Sequence, residues 1–341
     1  MDILLGSLIF SFIVHAFLIV PFVNFLYHLK FFKNKTAISK EKTDEASVHI
    51  RSKSRTPEGG GLLILVVTSL IFAFILPLLR RLGFEITHVY AINDEINIIF
   101  FTFIAFGLLG LYDDVVKFFE LDREEGYTGI PSRYKFMIQG VLGFIIGAMM
   151  YINLGIDIIH IPFVGVIHFG VWFIPVAAFL VVTFANAVNI TDGMDGLASG
   201  LLMISLFGFL ILSTSILDTP LSIFIALWLG GLIAFLYFNV FPARIFMGDV
   251  GALAFGATFA TVGLLTGKVV ALMIVGLPFL IDGFSSLIQI LWVKIFHRRI
   301  LPIAPLHYYL LKIGWSEPKI VQRAWLVGIM LVVFGIWLSI I

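Results

Sequence analysis

Two short segments of this 341-residue chain gather carboxylates: Asp113 and Asp114 in GLLGLYDDVVKF, and Asp192 and Asp195 in NAVNITDGMDGLASG. Each segment stands where a long apolar run ends. A carboxylate beside hydrocarbon is costly unless a cation accompanies it, and oxygen donors in a chain without Cys suit a hard divalent ion, Mg²⁺ or Mn²⁺. Lys117 follows Asp113 by four residues, so on a helix the two share a face and could hold a phosphate and a metal side by side; an interfacial Asp–Lys ion pair is the plainer reading of that spacing. Asn186, Asn189, Asp192 and Asp195 recur every three residues. They line one face, while Gly193 and Gly196 let a ligand approach the backbone.

A third segment, FNVFPARIFMGDVGALAFG, places Asp249 at the start of an apolar helix. A helix N-terminus accepts a capping Asp or an anion–metal complex equally well. Phe246 could stack on a flat base and Asn239 could bond its edge, although packing alone would explain one Phe among 36. Lys135 and Gln139 open another apolar run, where a snorkelling anchor is the plain alternative to a phosphate contact. Gly59 to Gly61 lack a following GK[ST], so they are no P-loop. The segment HRRILPIAPLHYYLLKIGW mixes bases, prolines and aromatics as an interfacial, partly re-entrant helix would, and it carries His307.

The elements that must position these groups follow from composition. Hydrophobic residues make up 60% of the chain and charged residues 13%, against about 45–50% and about 25% in a soluble domain. The chain therefore reads as one all-α, polytopic membrane domain over 1–341. Ten apolar runs are long enough to span a bilayer, near 3–27, 60–79, 96–112, 136–154, 168–187, 197–215, 222–239, 251–266, 270–293 and 322–341. The first is too long for a signal-peptide core and lacks a basic leader, so it is expected to remain as a span. Alternating the connections puts 19 of the 22 Lys and Arg on one side and 3 on the other. The positive-inside rule makes the richer side cytoplasmic, with both termini outside. Asp113, Asp114, Asp192, Asp195 and Asp249 all then fall at cytoplasmic span ends, which predicts one shared cleft at that face. Asp282, beside Pro278 and Gly283, predicts a broken or bent ninth span lining a polar cavity. Alternation over 155–167 predicts a small external hairpin.

The motifs DDVVK, NAVNITDGMDGL, FMGDVG and APLH followed by KIGW, in this order, resemble the polyprenyl-phosphate N-acetylhexosamine-1-phosphate transferases along essentially the whole chain. The muramoyl-pentapeptide branch of that superfamily is the most similar. The resemblance implies an enzyme of the bacterial plasma membrane in which a polyprenyl phosphate attacks the sugar-linked phosphate of a UDP-amino sugar and UMP leaves, with Mg²⁺ as cofactor. It further implies that Asp249 binds the metal and that Asp113 and Asp114 act on the lipid phosphate or the metal. Asn186, Asn189, Asp192 and Asp195 would line the nucleotide-sugar cleft. Gly193, Phe246, Asn239 and Lys53 would lie near the uridine, and Lys117 and Lys135 near phosphate. His307 joins the catalytic candidates. The chain departs from the branch pattern at Tyr308, Tyr309, Leu310 and Leu311, where further imidazoles and an acid are usual, and at Asp282, which is more like the UDP-N-acetylglucosamine-using branch.

That second sugar, for another surface glycan, is thus the alternative substrate. A secondary transporter is the alternative class, but it would cluster its charges near the bilayer midplane rather than at one face. Expected partners are a UDP-amino sugar, polyprenyl phosphate and the lipid bilayer, with no nucleic acid; a homodimer is left open.

Overall fold

The computed structural model describes residues 2–29, 56–119 and 129–341. Twelve α-helices run through them: α1 Asp2–His28, α2 Gly60–Arg81, α3 Ile92–Phe119, α4 Ser132–Leu154, α5 Phe173–Thr191, α6 Leu197–Ser215, α7 Thr219–Asn239, α8 Gly248–Leu265, α9 Val269–Val275, α10 Leu277–Phe296, α11 Leu306–Lys312 and α12 Glu317–Ile340. Ten of these, all but α9 and α11, are long and apolar enough to cross a membrane. The expected all-α, multi-span fold is therefore the observed one.

Which helices lie inside follows from side-chain size. In α8 the run GDVGALAFGATFATVGLL is mostly small, and 89% of its apolar window is buried, against 22% for α10 and α12. Lipid offers no hydrophobic drive for helices to associate, so close backbone approach through small residues must supply the packing. Gly61 of α2 faces Gly251 of α8, and a Cβ on Gly61 would collide with the Gly251 backbone. Gly110 of α3 meets the Asp249 carbonyl and Val250 in the same way. Deeper in, Phe103 of α3 packs between Phe255 of α8 at 5.7 Å and Trp228 of α7 at 5.7 Å, fixing these three helices as the core. Helices α1, α4, α10 and α12 form the outer ring, with large apolar side chains such as Phe17, Ile152, Ile290 and Met330 on their open faces.

The ninth apolar run breaks as expected. Helix α9 ends before Gly276, and α10 restarts with Pro278 in its first turn, where a missing N–H costs nothing. A Cβ at Gly276 would strike the Phe184 ring, so α5 packs against the break. The Asp282 carboxylate is buried, and its Oδ2 lies 2.6 Å from His307 Nδ1. The expected hairpin is present as β1 Ile158–Ile161 and β2 Gly165–His168, antiparallel with Ile159 opposite Ile167. Ile159 is buried, and β1 lies on α9.

Candidate active site

The site is assembled where three motif-bearing segments end at the same face of the bundle. Helix α3 runs past its apolar section to carry Asp113, Asp114 and Lys117; α4 brings Lys135 in its first turn; α5 brings Asn189 near its end; α8 starts with Gly248 and Asp249. The Asp249 Oδ2 accepts from Lys117 Nζ at 2.8 Å and Lys135 Nζ at 2.5 Å. Asp113 Oδ2 accepts from the same two ammonium groups at 2.8 and 2.9 Å. Two carboxylates and two cations thus alternate around a square. The remaining oxygens are also held, Asp249 Oδ1 by the Asn189 amide at 3.0 Å and Asp113 Oδ1 by the Ile130 backbone N–H at 2.8 Å. The plainer reading of the Asp113–Lys117 spacing, an ion pair, is the contact seen, and the pair belongs to a wider cluster.

Asp114 does something different. Its two oxygens accept from the backbone N–H groups of Asp249 at 3.1 Å and Val250 at 3.0 Å. Helix α8 has no side-chain cap of its own, because Met247 precedes Gly248. The first N–H groups of a helix lack intrahelical partners, so a carboxylate from α3 caps α8 across the helix interface and fixes where Asp249 stands. Gly248 makes this possible with φ +76, in a place where a Cβ would press on Asp114 and Gly59. The glycine segment joins in: Gly60 N–H donates to the Phe246 carbonyl at 2.8 Å, Gly61 N–H to that of Met247 at 2.9 Å, and Phe246 N–H to that of Pro57 at 2.9 Å. Gly59 to Gly61 therefore serve as a splint for the loop before α8.

A second half of the site surrounds residues 192–196. Asp192 ends α5 and is half-buried. Asp195 is buried, and its Oδ2 accepts from the Ala243 N–H at 2.9 Å, tying this loop to the one that leads to Asp249. Asn239 is also buried; its Oδ1 accepts from the Gly196 N–H at 3.2 Å and the Ser199 hydroxyl at 2.6 Å, and its Nδ2 donates to the Ile245 carbonyl at 2.9 Å. In this structure its amide serves the protein's own loops. Phe246 is half-buried beside them. The Asn186 Nδ2 donates to Gln139 Oε1 at 2.6 Å, so the polar column of α5 is matched by one on α4, Lys135 and Gln139. Gln139 is fully buried. Its position four residues after Lys135, on the same helix face, is the sequence signal for that column.

His307 stands over Gly193. Its Nδ1 lies 2.6 Å from Asp282 Oδ2, and its backbone N–H donates to Asp282 Oδ1 at 3.2 Å. The Nε2 edge abuts Gly193, where a Cβ would strike it, and that buried nitrogen has no hydrogen-bond partner. Tyr308 adds a hydroxyl bond to the Gly193 carbonyl at 3.3 Å. Among the described residues no hydrogen bond or ion pair joins His307 to the Asp113–Asp249 cluster. Lys53 lies outside the described residues.

Carboxylates, lysines and amides thus converge at one end of a bundle of ten helices long and apolar enough to cross a membrane. A family model described as "Glycosyl transferase family 4" matches residues 96–267, and the chain belongs to that family. Among relatives, the phospho-N-acetylmuramoyl-pentapeptide-transferase of Staphylococcus aureus (strain bovine RF122 / ET3-1) is 35% identical over 295 residues, 84% of this chain and 86% of the relative. The protein of the same description from Staphylococcus aureus (strain JH9) is 34% identical over the same shares. The superfamily read from the motifs, and its muramoyl-pentapeptide branch, are thereby supported along most of the chain.

Proposed function

We propose that this enzyme transfers phospho-N-acetylmuramoyl-pentapeptide from its UDP donor to polyprenyl phosphate in a bacterial plasma membrane, with the site facing the cytoplasm. The observation that carries this reading is the square of Asp113, Asp249, Lys117 and Lys135 at the N-terminus of α8. Two anionic phosphates must meet for the reaction, and their repulsion is the main obstacle that a site of this charge pattern removes. An oxygen of the lipid phosphate attacks the sugar-linked phosphorus; the bond from that phosphorus to the bridging oxygen breaks; UMP leaves with the electron pair. Both products keep their charge, so no proton need move in that step.

Lys117, with 36% of its side chain exposed, and Lys135, with 16%, are the groups that incoming phosphate oxygens would draw away from the carboxylates. The carboxylates so released suit a hard cation, because Asp113 Oδ2 and Asp249 Oδ2 already lie within reach of the same two ammonium groups. Mg²⁺ takes one or two carboxylates and completes its shell with phosphate and water, and Mn²⁺ fits the same donors. Asp249 and Asp113 would hold it, and it would neutralise phosphate charge as UMP departs. Asp114 stays with the α8 amides. Asn186, Asn189 and Asp192 line the cleft for the nucleotide sugar, with Phe246 and Gly193 nearer the base, and His307 presents Nε2 to a group arriving over Gly193.

The names of the relatives favour the muramoyl substrate. One observation favours UDP-N-acetylglucosamine: Tyr308, an uncharged side chain, occupies the Gly193 carbonyl where a cationic group would greet a carboxylate-bearing sugar. Purified protein, Mg²⁺ and polyprenyl phosphate with UDP-N-acetylmuramoyl-pentapeptide or UDP-N-acetylglucosamine, assayed singly and in competition for UMP release, decides between them. No UMP from either donor would refute the transferase reading for this chain.

A further inference from the structure

Helix α6 shares a weakness with α8. It follows Gly196, which has no side chain to cap it, and the backbone N–H groups of the segment leading into it are held from elsewhere in the fold. Asn239 takes that of Gly196, as described above. The N–H of Asp195, one residue earlier, donates to Oε1 of Glu317 at 2.6 Å. Glu317 begins α12, is 2% exposed, and comes from a helix 122 residues away in sequence. Trp325, two turns along α12, donates its indole N–H to the Gly196 carbonyl at 3.1 Å and packs on Gly200. Its neighbours in charge, Lys319 and Arg323, turn the other way, onto the Trp315 ring at 4.9 and 4.4 Å. The acid of this turn is thus directed inward and the bases outward.

We propose that Glu317 is a positioning residue of the transferase, holding the 192–196 loop in register with Asp249. The inference rests on the functional reading above. The path is short: Glu317 fixes the Asp195 backbone, the Asp195 carboxylate fixes Ala243, and residues 243–247 lead directly into Gly248 and Asp249. A buried carboxylate that accepts a backbone N–H is a strong acceptor, and its removal leaves a buried donor unpaired.

The test uses the full-length protein in nanodiscs, with Glu317→Ala, Glu317→Gln, Glu317→Asp and, as a control on the same helix, Lys319→Gln. Steady-state UMP release gives kcat and KM for the UDP-sugar. Hydrogen exchange over the peptide spanning 192–196 gives loop order without any substrate. Glu317→Ala should lower kcat/KM by about 10- to 100-fold, the scale of a misplacement near 1 Å, and speed exchange in the loop. Glu317→Gln keeps an oxygen for the same N–H and should recover to within about fivefold of the wild type. Where Glu317→Ala does not fold, Glu317→Asp, one methylene short of the amide, should show the same defect in milder form. Wild-type kcat/KM and loop exchange in Glu317→Ala or Glu317→Asp would overturn the proposal, as would a loss of melting temperature alone, or Glu317→Gln no better than Glu317→Ala. A wild-type protein inactive on every UDP-sugar, with exchange responding as expected, would instead refute the functional reading and leave the Glu317 contact standing.

Discussion

Gly110→Ala tests the architecture of the site without touching a charged group. The added methyl would land on the Asp249 carbonyl and the Val250 Cα, both backbone, so neither can swing aside. Overpacking of this kind costs about 1–3 kcal/mol. Replacing a helical Gly by Ala returns up to about 1 kcal/mol, so the net loss of stability should be about 0–2 kcal/mol. The effect on geometry is larger than the effect on stability. Relief requires the start of α8 to move away from α3, and the Asp114 oxygens now lie 3.1 and 3.0 Å from the Asp249 and Val250 amides. A shift of about 1 Å takes both past hydrogen-bond reach. A displacement of that size at reacting groups is worth about 10² in rate.

The expected outcome is therefore a protein that folds, melts within a few degrees of the wild type, and releases UMP about a hundredfold more slowly. Two other glycines calibrate the result. Gly107→Ala meets first the tip of the flexible Leu65 side chain, and Gly140→Ala meets nothing within 4 Å. Both should keep turnover close to normal. Thermal unfolding in detergent and a UMP assay normalised to folded protein measure the series. Wild-type turnover in Gly110→Ala, or equal losses in all three variants, would refute the argument that the α3–α8 contact sets the position of Asp249.

Three further outcomes are expected. Asp249→Asn should abolish turnover while the protein still folds, and excess chelator should do the same to the wild type, with activity returning on addition of Mg²⁺ or Mn²⁺; full turnover in chelator would exclude the metal. Asp113→Asn and Asp114→Asn should each lower turnover by at least about 10²-fold, but only Asp114→Asn should also speed hydrogen exchange at the start of α8, since only Asp114 caps it. Asp282→Asn should reduce turnover about tenfold by loosening the His307 ring, and His307→Ala should add little to it, because the two act as one unit; additive losses would show that they do not.

Much of the fold was open to reading because apolar runs and charge asymmetry are long-range averages. Span limits came within a few residues for α2, α6 and α7, and Asp282 with Pro278 and Gly283 marked the ninth run as broken, the break itself falling at Gly276. The ends of α3 were underestimated, since Asp113, Asp114 and Lys117 look like the end of a membrane span although the helix continues to Phe119. Sidedness pointed to a shared site for Asp113 and Asp249, whereas Lys117, Lys135 and Asn189 entered through helix spacing and the family resemblance. What Asp114 and Asn239 contact was not legible. Nothing local distinguishes Asp113 from its neighbour Asp114, yet one faces two ammonium groups and the other two backbone amides. That difference is the roughly 100° turn between adjacent helical residues, expressed against two different neighbours. Glu317 was hidden for a similar reason. In sequence it looks like an ordinary first-turn acid, and only the fold shows that its partner is the amide of Asp195.

Asp114 and Glu317 together explain why acids outnumber what the chemistry itself requires. Two loops carry the reactive motifs, and each runs into a helix whose first turn lacks a cap of its own, α8 after Gly248 and α6 after Gly196. A side-chain cap from within either loop would tie the loop's own carboxylate to the backbone and remove it from the cleft. Acids from distant helices place both segments by reference to rigid elements: Asp114 caps α8, and Glu317 holds the Asp195 amide, one residue before the Gly196 N-cap of α6. The glycines are the necessary counterpart: Gly248 adopts a left-handed φ, and Gly110 and Gly193 give way to Asp249 and His307. The motifs DD and GD therefore carry acids of two kinds in this structure: Asp113 and Asp249, which face the lysines, and Asp114, which holds the α8 amides. Their separation is testable: loss of Asp114, whose two oxygens serve two amides, should speed hydrogen exchange at the start of α8, whereas loss of Asp113 should not.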